Sequence, residues 1–243
     1  MDRIKLFFSS IKWYEYVFSI VCFSIYLFLG LFFKANVVVM INVLLGFLMS
    51  LFFSKGNVAS QIVGIIQLPF YATVVFRNRY YGEFILVFLI LLPMYIYGVI
   101  TWFKNLNKRN GEVKIIKKIG WQEWIIATLV AFCLGVGVFY LLRYFNTYQL
   151  LLSTFSFVLC SFAKYFVIRR CEYGFIFYVL SNATCLIMWL MVAIDTHNLS
   201  QIVMFFNYIV YIFLNIVGIF NFIRLKREQN RDSYAIIMKI LKE

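Results

Sequence analysis

Gln67, Asn182 and Asn215 are amides set inside long apolar segments, and Tyr71, Tyr95, Trp102, Phe175 and Tyr178 recur around them at helical spacing. Gly64, Gln67 and Tyr71 share one face of their segment; Tyr95, Gly98 and Trp102 share a face of the next. Phe175, Tyr178 and Asn182, continuing to Trp189, make a third face, and Asn215, Gly218 and Phe222 a fourth. Steps of three, four and seven residues turn each set one way on a helix. An amide both donates and accepts hydrogen bonds, and an aromatic ring offers an apolar or cation-attracting face. Singly, each is more readily a helix-packing contact, since amides and small residues also join helices in lipid. The four faces together favour a binding cavity.

Other chemistries have little to work with. His197 is the one histidine, and Cys22, Cys133, Cys160, Cys171 and Cys185 are scattered without a C-x-x-C pair. That excludes a disulfide framework, a zinc site and a His-based triad. No G-x-x-x-x-G-K-[ST] loop for a nucleotide is present, and Gly135-Val136-Gly137 reads as a helix-packing site. No catalytic residue, metal or cofactor is expected. Glu15, Glu83, Glu123, Glu172 and Asp195 all fall at segment ends. Ion-coupled carriers usually keep an intramembrane carboxylate, so passive, substrate-specific passage is expected. Glu83 is placed near the outer mouth, where it attracts a cation or, more simply, pairs with Arg77 or Arg79.

The elements that must position these residues follow from composition. Of 243 residues, 64% are hydrophobic and only 14% charged, against about a quarter charged in soluble domains. Lipid has to be the solvent. Eight apolar segments, about 14–33, 36–53, 58–76, 82–103, 122–142, 147–168, 173–194 and 200–223, approach the roughly 20 residues that span a bilayer. They lack the alternation of barrel strands. The first follows a basic start, runs on to Phe33 without a small-residue cleavage site, and is read as a retained helix.

The net charge of +13 sits in short clusters between segments rather than on one soluble face, so nucleic acid is not the partner expected. Assigned to alternating sides, 19 Lys and Arg lie with the N-terminus and 4 opposite. That asymmetry places both termini in the cytoplasm and requires an even number of spans. Lys164 is counted here with the loop residues Arg169 and Arg170. The fold class expected is all-α integral membrane: an extra N-terminal helix (1–35), a three-helix repeat (36–104), a basic loop and linker helix (105–143), a second parallel repeat (144–224) and a cytoplasmic tail (225–243). Tyr97-Gly98-Val99-Ile100-Thr101-Trp102 and Val217-Gly218-Ile219-Phe220-Asn221-Phe222 close the two repeats alike, an arrangement known in carriers. Tyr234 to Leu241 is amphipathic, either a surface-lying helix or part of an exposed basic tail.

Several stretches resemble the PnuC family of vitamin transporters. They are Gly64-Ile65-Ile66-Gln67 with Tyr71, Asn78-Arg79-Tyr80-Tyr81-Gly82-Glu83, Pro93-Met94-Tyr95, and Tyr97-Gly98 with Trp102. In the second half the matching residues are Ser181-Asn182 with Trp189 and Leu214-Asn215-Ile216-Val217-Gly218. The resemblance spans roughly 36–228. It implies a 3+1+3 fold related to the SWEET carriers, a homotrimer, and facilitated diffusion of nicotinamide riboside across the bacterial cytoplasmic membrane. A cytoplasmic kinase would then trap the substrate by phosphorylation. Asn182, Gln67 and Asn215 would bond the ribose and carboxamide, with Tyr178, Phe175, Tyr95, Tyr71 and Trp102 as aromatic walls. Phe175 and Tyr178 stand where the family usually has two tryptophans, and Gln67 and Tyr95 where it usually has Asn and Gln. These departures admit thiamine, riboflavin or a deoxynucleoside as the cargo. The rivals from other classes are a membrane-embedded enzyme and a non-transporting membrane subunit.

Overall fold

The computed structural model describes residues 13–106, 112–116, 119–197 and 199–240, with the backbone alone at 14–16, 199 and 232–240. Eight long helices carry the described chain: α1 (Trp13–Phe32), α2 (Val37–Ser54), α3 (Ala59–Arg77), α4 (Tyr81–Lys104), α5 (Trp121–Tyr144), α6 (Leu150–Ile168), α7 (Tyr173–Asp195) and α8 (Ile202–Ile240). Seven are long and apolar enough to cross a bilayer; the apolar part of α1, Val17–Phe32, is shorter. Among the described residues the sole β-pairing is one isolated bridge, Leu106 to Val113.

Local chemistry sets the boundaries. Asn36 caps α2 by accepting from the Val38 N–H at 2.9 Å, and Asn57 does the same for Ala59 at the start of α3. Capping of this kind satisfies N–H groups that have no partner within the helix. Gly56 takes a φ of +67° between α2 and α3, a conformation costly for residues with a Cβ. Asn146 and Gln149 also turn left-handed, at φ of 50° and 53°. The chain is therefore still in a loop at residue 147, and α6 begins at Leu150 rather than where the apolar run starts. In α4 the turn Val87–Leu91 is π-helical and lies just before Pro93. Proline has no N–H and crowds the carbonyl four residues back; the widened turn holds that carbonyl, Leu89, and absorbs the mismatch without ending the helix.

α2, α3, α4, α6, α7 and α8 form a closed ring in that order, each packing on the next and α8 returning to α2. α1 lies outside the ring against α2 and α8, and α5 lies outside it against α6 and α4. Each outer helix thus covers the seam beside the triplet that follows it. Both show wide apolar faces outward, such as Phe28 and Leu31 on α1 and Phe132 and Tyr140 on α5, as lipid-facing helices do.

Two sets of loop contacts mark the ends of the ring. At one end Val113 N–H donates to Gly56 O, Ile116 N–H to Arg170 O, and Asn221 to Ser54 O. Lys55, Lys104, Arg169 and Arg170 gather at this basic end. At the other, Tyr148 N–H donates to Arg79 O, the Tyr80 hydroxyl to Met188 O, and Tyr148 OH to Asp195. The polar tail expected from residue 225 is not a separate element: α8 runs on unbroken through Arg231 to Ile240. Its extension is tied back by Lys226 pairing with Glu172 and by Gln229 bonding Ile115 N–H and Val113 O. The basic residues of 1–12, Lys108, Arg109, Asn110-Gly111, Lys117, Lys118, Leu241 and Lys242 lie outside the described residues, as do the side chains of the amphipathic stretch from Tyr234.

Candidate functional site

The ring encloses a cavity with about 90 Å³ of room for the centres of water-sized molecules. Every helix of the ring contributes to its wall, and α1 and α5 do not. Gln67, Tyr71, Tyr95, Tyr178, Asn182 and Asn215, all predicted from sequence, line it.

Its polar groups fall into two clusters and a free amide. Gln67 Nε2 donates to Asn42 Oδ1 at 3.1 Å and to the Tyr211 hydroxyl at 3.3 Å, joining α3 to α2 and α8. Gly46 makes this possible, because a Cβ there would overlap the Tyr211 hydroxyl and stand 2.7 Å from Gln67 Nε2. A chain of hydroxyls leads from α8 to α4 and α6: Tyr208 meets Tyr71 at 3.1 Å, Tyr71 donates to Glu83 Oε2 at 2.8 Å, and Ser156 donates to Glu83 Oε1 at 2.6 Å. Asn215 uses its N–H on Tyr211 O at 2.7 Å, one turn back on its own helix. Asn182 is different. It is only 7% exposed, it lines the cavity, and its amide bonds to none of the described residues.

Three sequence expectations are corrected. Glu83 does not sit at an outer mouth beside Arg77 or Arg79. It occupies the first turn of α4 but turns inward, 3% exposed, with one carboxylate oxygen bonded to the cavity-lining Tyr71 hydroxyl and the other to the buried Ser156 hydroxyl. Phe175 and Trp102 do not line the cavity. Phe175 stacks on Phe53 at 4.3 Å between ring centres, and Trp102 stacks on the same ring at 6.1 Å while its indole N–H donates to Val167 O. Phe53 is the lining ring, and the two predicted aromatics back it toward the basic end. Lys164 is not a loop cation. It lies inside α6, 1% exposed, on the cavity wall, with Nζ 3.2 Å from Gln61 Oε1 and 2.9 Å from the centre of the Tyr95 ring.

Asn42, Gln61, Asn207, Tyr208 and Tyr211 also line the cavity, beyond the residues expected from sequence. The signal was present on α8, where Asn207, Tyr211 and Asn215 recur every four residues. On α3, Ser60, Gly64, Gln67 and Tyr71 form a similar stripe. Among the described residues no group of His, Cys, Asp and Glu could hold a metal ion.

A ring of lipid-immersed helices around an amide- and hydroxyl-lined cavity defines a membrane carrier for a small polar molecule. The family model described as nicotinamide mononucleotide transporter matches residues 36–224, and the chain belongs to this family, the PnuC-type transporters. A relative, the nicotinamide riboside transporter PnuC of Neisseria mucosa, is 22% identical over 190 residues, covering 76% of this chain and 71% of its own. The crystal structure of the vitamin B3 transporter PnuC superposes with a TM-score of 0.80 at 19% identity, over 92% of this chain and 96% of that one. The structural likeness establishes the fold; α1, which precedes residue 36, stands outside the family match.

Proposed function

We propose that this protein carries a pyridine nucleoside of the nicotinamide riboside kind down its gradient into the cell, where phosphorylation traps it. One observation carries the reading: the Asn182 amide is buried in the cavity wall with no protein partner among the described residues. The amide opens onto the cavity, where a ligand carrying hydroxyl or carboxamide groups can bond it in place of water. Gln67 and Asn215 extend the same polar wall, and Tyr178 stands edge-on to Phe53 at 5.6 Å, offering two ring faces at right angles. The curated relative carries the same class of cargo by name.

Both termini face the cytoplasm in this reading, because Lys55, Lys104, Arg169 and Arg170 gather at one end of the ring and the positive-inside rule assigns that end inward. The triplets α2–α4 and α6–α8 act as the two repeats, with Gln67 and Asn182 at corresponding depth. Calorimetric titration of purified protein with nicotinamide riboside tests the site. Saturable binding by the wild type, lost in a folded Asn182→Ala variant, supports it; equal binding by the variant defeats the assignment.

A further inference from the structure

α1 lies outside the ring and gives the cavity no wall, yet it reaches the cavity lining through Tyr26. That side chain is fully buried, with its ring edge-on to Phe47 of α2 at 6.1 Å and to Phe206 of α8 at 5.4 Å. A phenylalanine would fill the same space. What the hydroxyl adds is a hydrogen bond of 2.9 Å, donated to Asn207 Oδ1 on α8. A phenol buried beside lipid needs such a partner, and taken by itself the pair reads as a bond joining two helices.

Asn207 makes it more than that, because it also lines the cavity. It belongs to the α8 stripe Asn207, Tyr211 and Asn215, whose other members are engaged within the ring: Tyr211 accepts from Gln67, and Asn215 donates to Tyr211 O. Asn207 is held from outside the ring, by α1. An amide has an acceptor end and a donor end, and without a fixed partner either can turn inward. With Oδ1 bonded to Tyr26 on the α1 side, the NH2 is the end left for the cavity. Resting on the reading proposed above, we infer that Tyr26 is a positioning residue. Its hydroxyl fixes the Asn207 amide so that the NH2 donates to an acceptor oxygen of the cargo, a ribose hydroxyl or the carboxamide carbonyl. α1, which stands outside the family match, thereby sets the hydrogen-bonding sense of a wall it does not line.

Nicotinamide riboside affinity and melting temperature are measured on the purified wild type, Tyr26→Phe, Asn207→Ala and the double variant. Asn207→Ala should lose about ten-fold in affinity, the worth of one hydrogen bond to a polar ligand. Tyr26→Phe keeps the ring packing and touches no ligand, yet it should lose about three- to ten-fold, because the amide is free to turn. The two losses should not multiply: Tyr26→Phe should cost no further affinity once Asn207 is replaced. A tyrosine that only joins α1 to α8 would lower the melting temperature when replaced and leave the affinity of folded protein unmoved. Unchanged affinity in folded Tyr26→Phe, or losses that multiply in the double variant, overturns the inference and leaves the carrier reading standing. Wild-type affinity in Asn207→Ala overturns it too, whether or not Tyr26→Phe folds. Failure of the folded wild type to bind nicotinamide riboside overturns both.

Discussion

At the scale of single residues, the cavity divides its polar groups into those satisfied by protein and those that are not. Glu83 belongs to the first kind, with one hydroxyl on each oxygen. In Glu83→Gln one of those hydroxyls meets an NH2 instead of an acceptor. The expected cost is about 1–3 kcal/mol, seen as a lower melting temperature in detergent, and an unchanged melting temperature contradicts this account of the carboxylate. Asn182 belongs to the second kind. Asn182→Ala removes no protein hydrogen bond among the described residues, so the melting temperature should stay close to wild type. Nicotinamide riboside affinity should fall about 10- to 100-fold, the worth of one or two hydrogen bonds from a polar ligand. The sequence shows Asn182 clearly, because an amide in mid-segment is conspicuous. It shows Glu83 and Lys164 poorly, because a charged residue near a segment end looks the same whether its side chain turns to water or to the cavity. That difference is made by the neighbours on other helices, Tyr71 and Ser156 for one and Gln61 and Tyr95 for the other.

At the scale of elements, close approach between helices shapes the pocket. Gly46 lets α8 bring Tyr211 onto α2, and Gly64 receives the ring of Tyr95 from α4. Gly46→Ala should cost about 1–3 kcal/mol through overpacking and weaken substrate binding by displacing Gln67 and Tyr211. Normal stability together with normal affinity would contradict the tight α2–α8 contact. The loop from α6 to α7 is packed in the same sense. Cys171 is buried there, and burial pushes its thiol up to about 11. The thiolate is the reactive form, so at pH 8 Cys171 should resist a polar maleimide until the protein is unfolded; rapid labelling of the native protein would show that the loop is open. Helix number and approximate limits are legible in the apolar runs. The start of α6 and the continuation of α8 are not, since left-handed residues at 146 and 149 delay the helix within its apolar run and a polar helix looks like a tail in composition.

At the scale of the whole molecule, a closed ring of six helices with one helix over each of two seams gives a cavity walled only by the ring. Lipid meets the outer faces, and the polar lining stays out of hydrocarbon, as membrane folds require. Facilitated passage needs no second binding site for an ion, and the one buried carboxylate of the cavity wall is engaged by two hydroxyls. Uptake of labelled nicotinamide riboside into proteoliposomes holding only this protein, with no ion gradient imposed, tests the central claim most directly. The account predicts saturable uptake that stops when the inside and outside concentrations are equal and that is unchanged by a proton or sodium gradient. Uptake that appears only with such a gradient, or no uptake by folded protein, would contradict it.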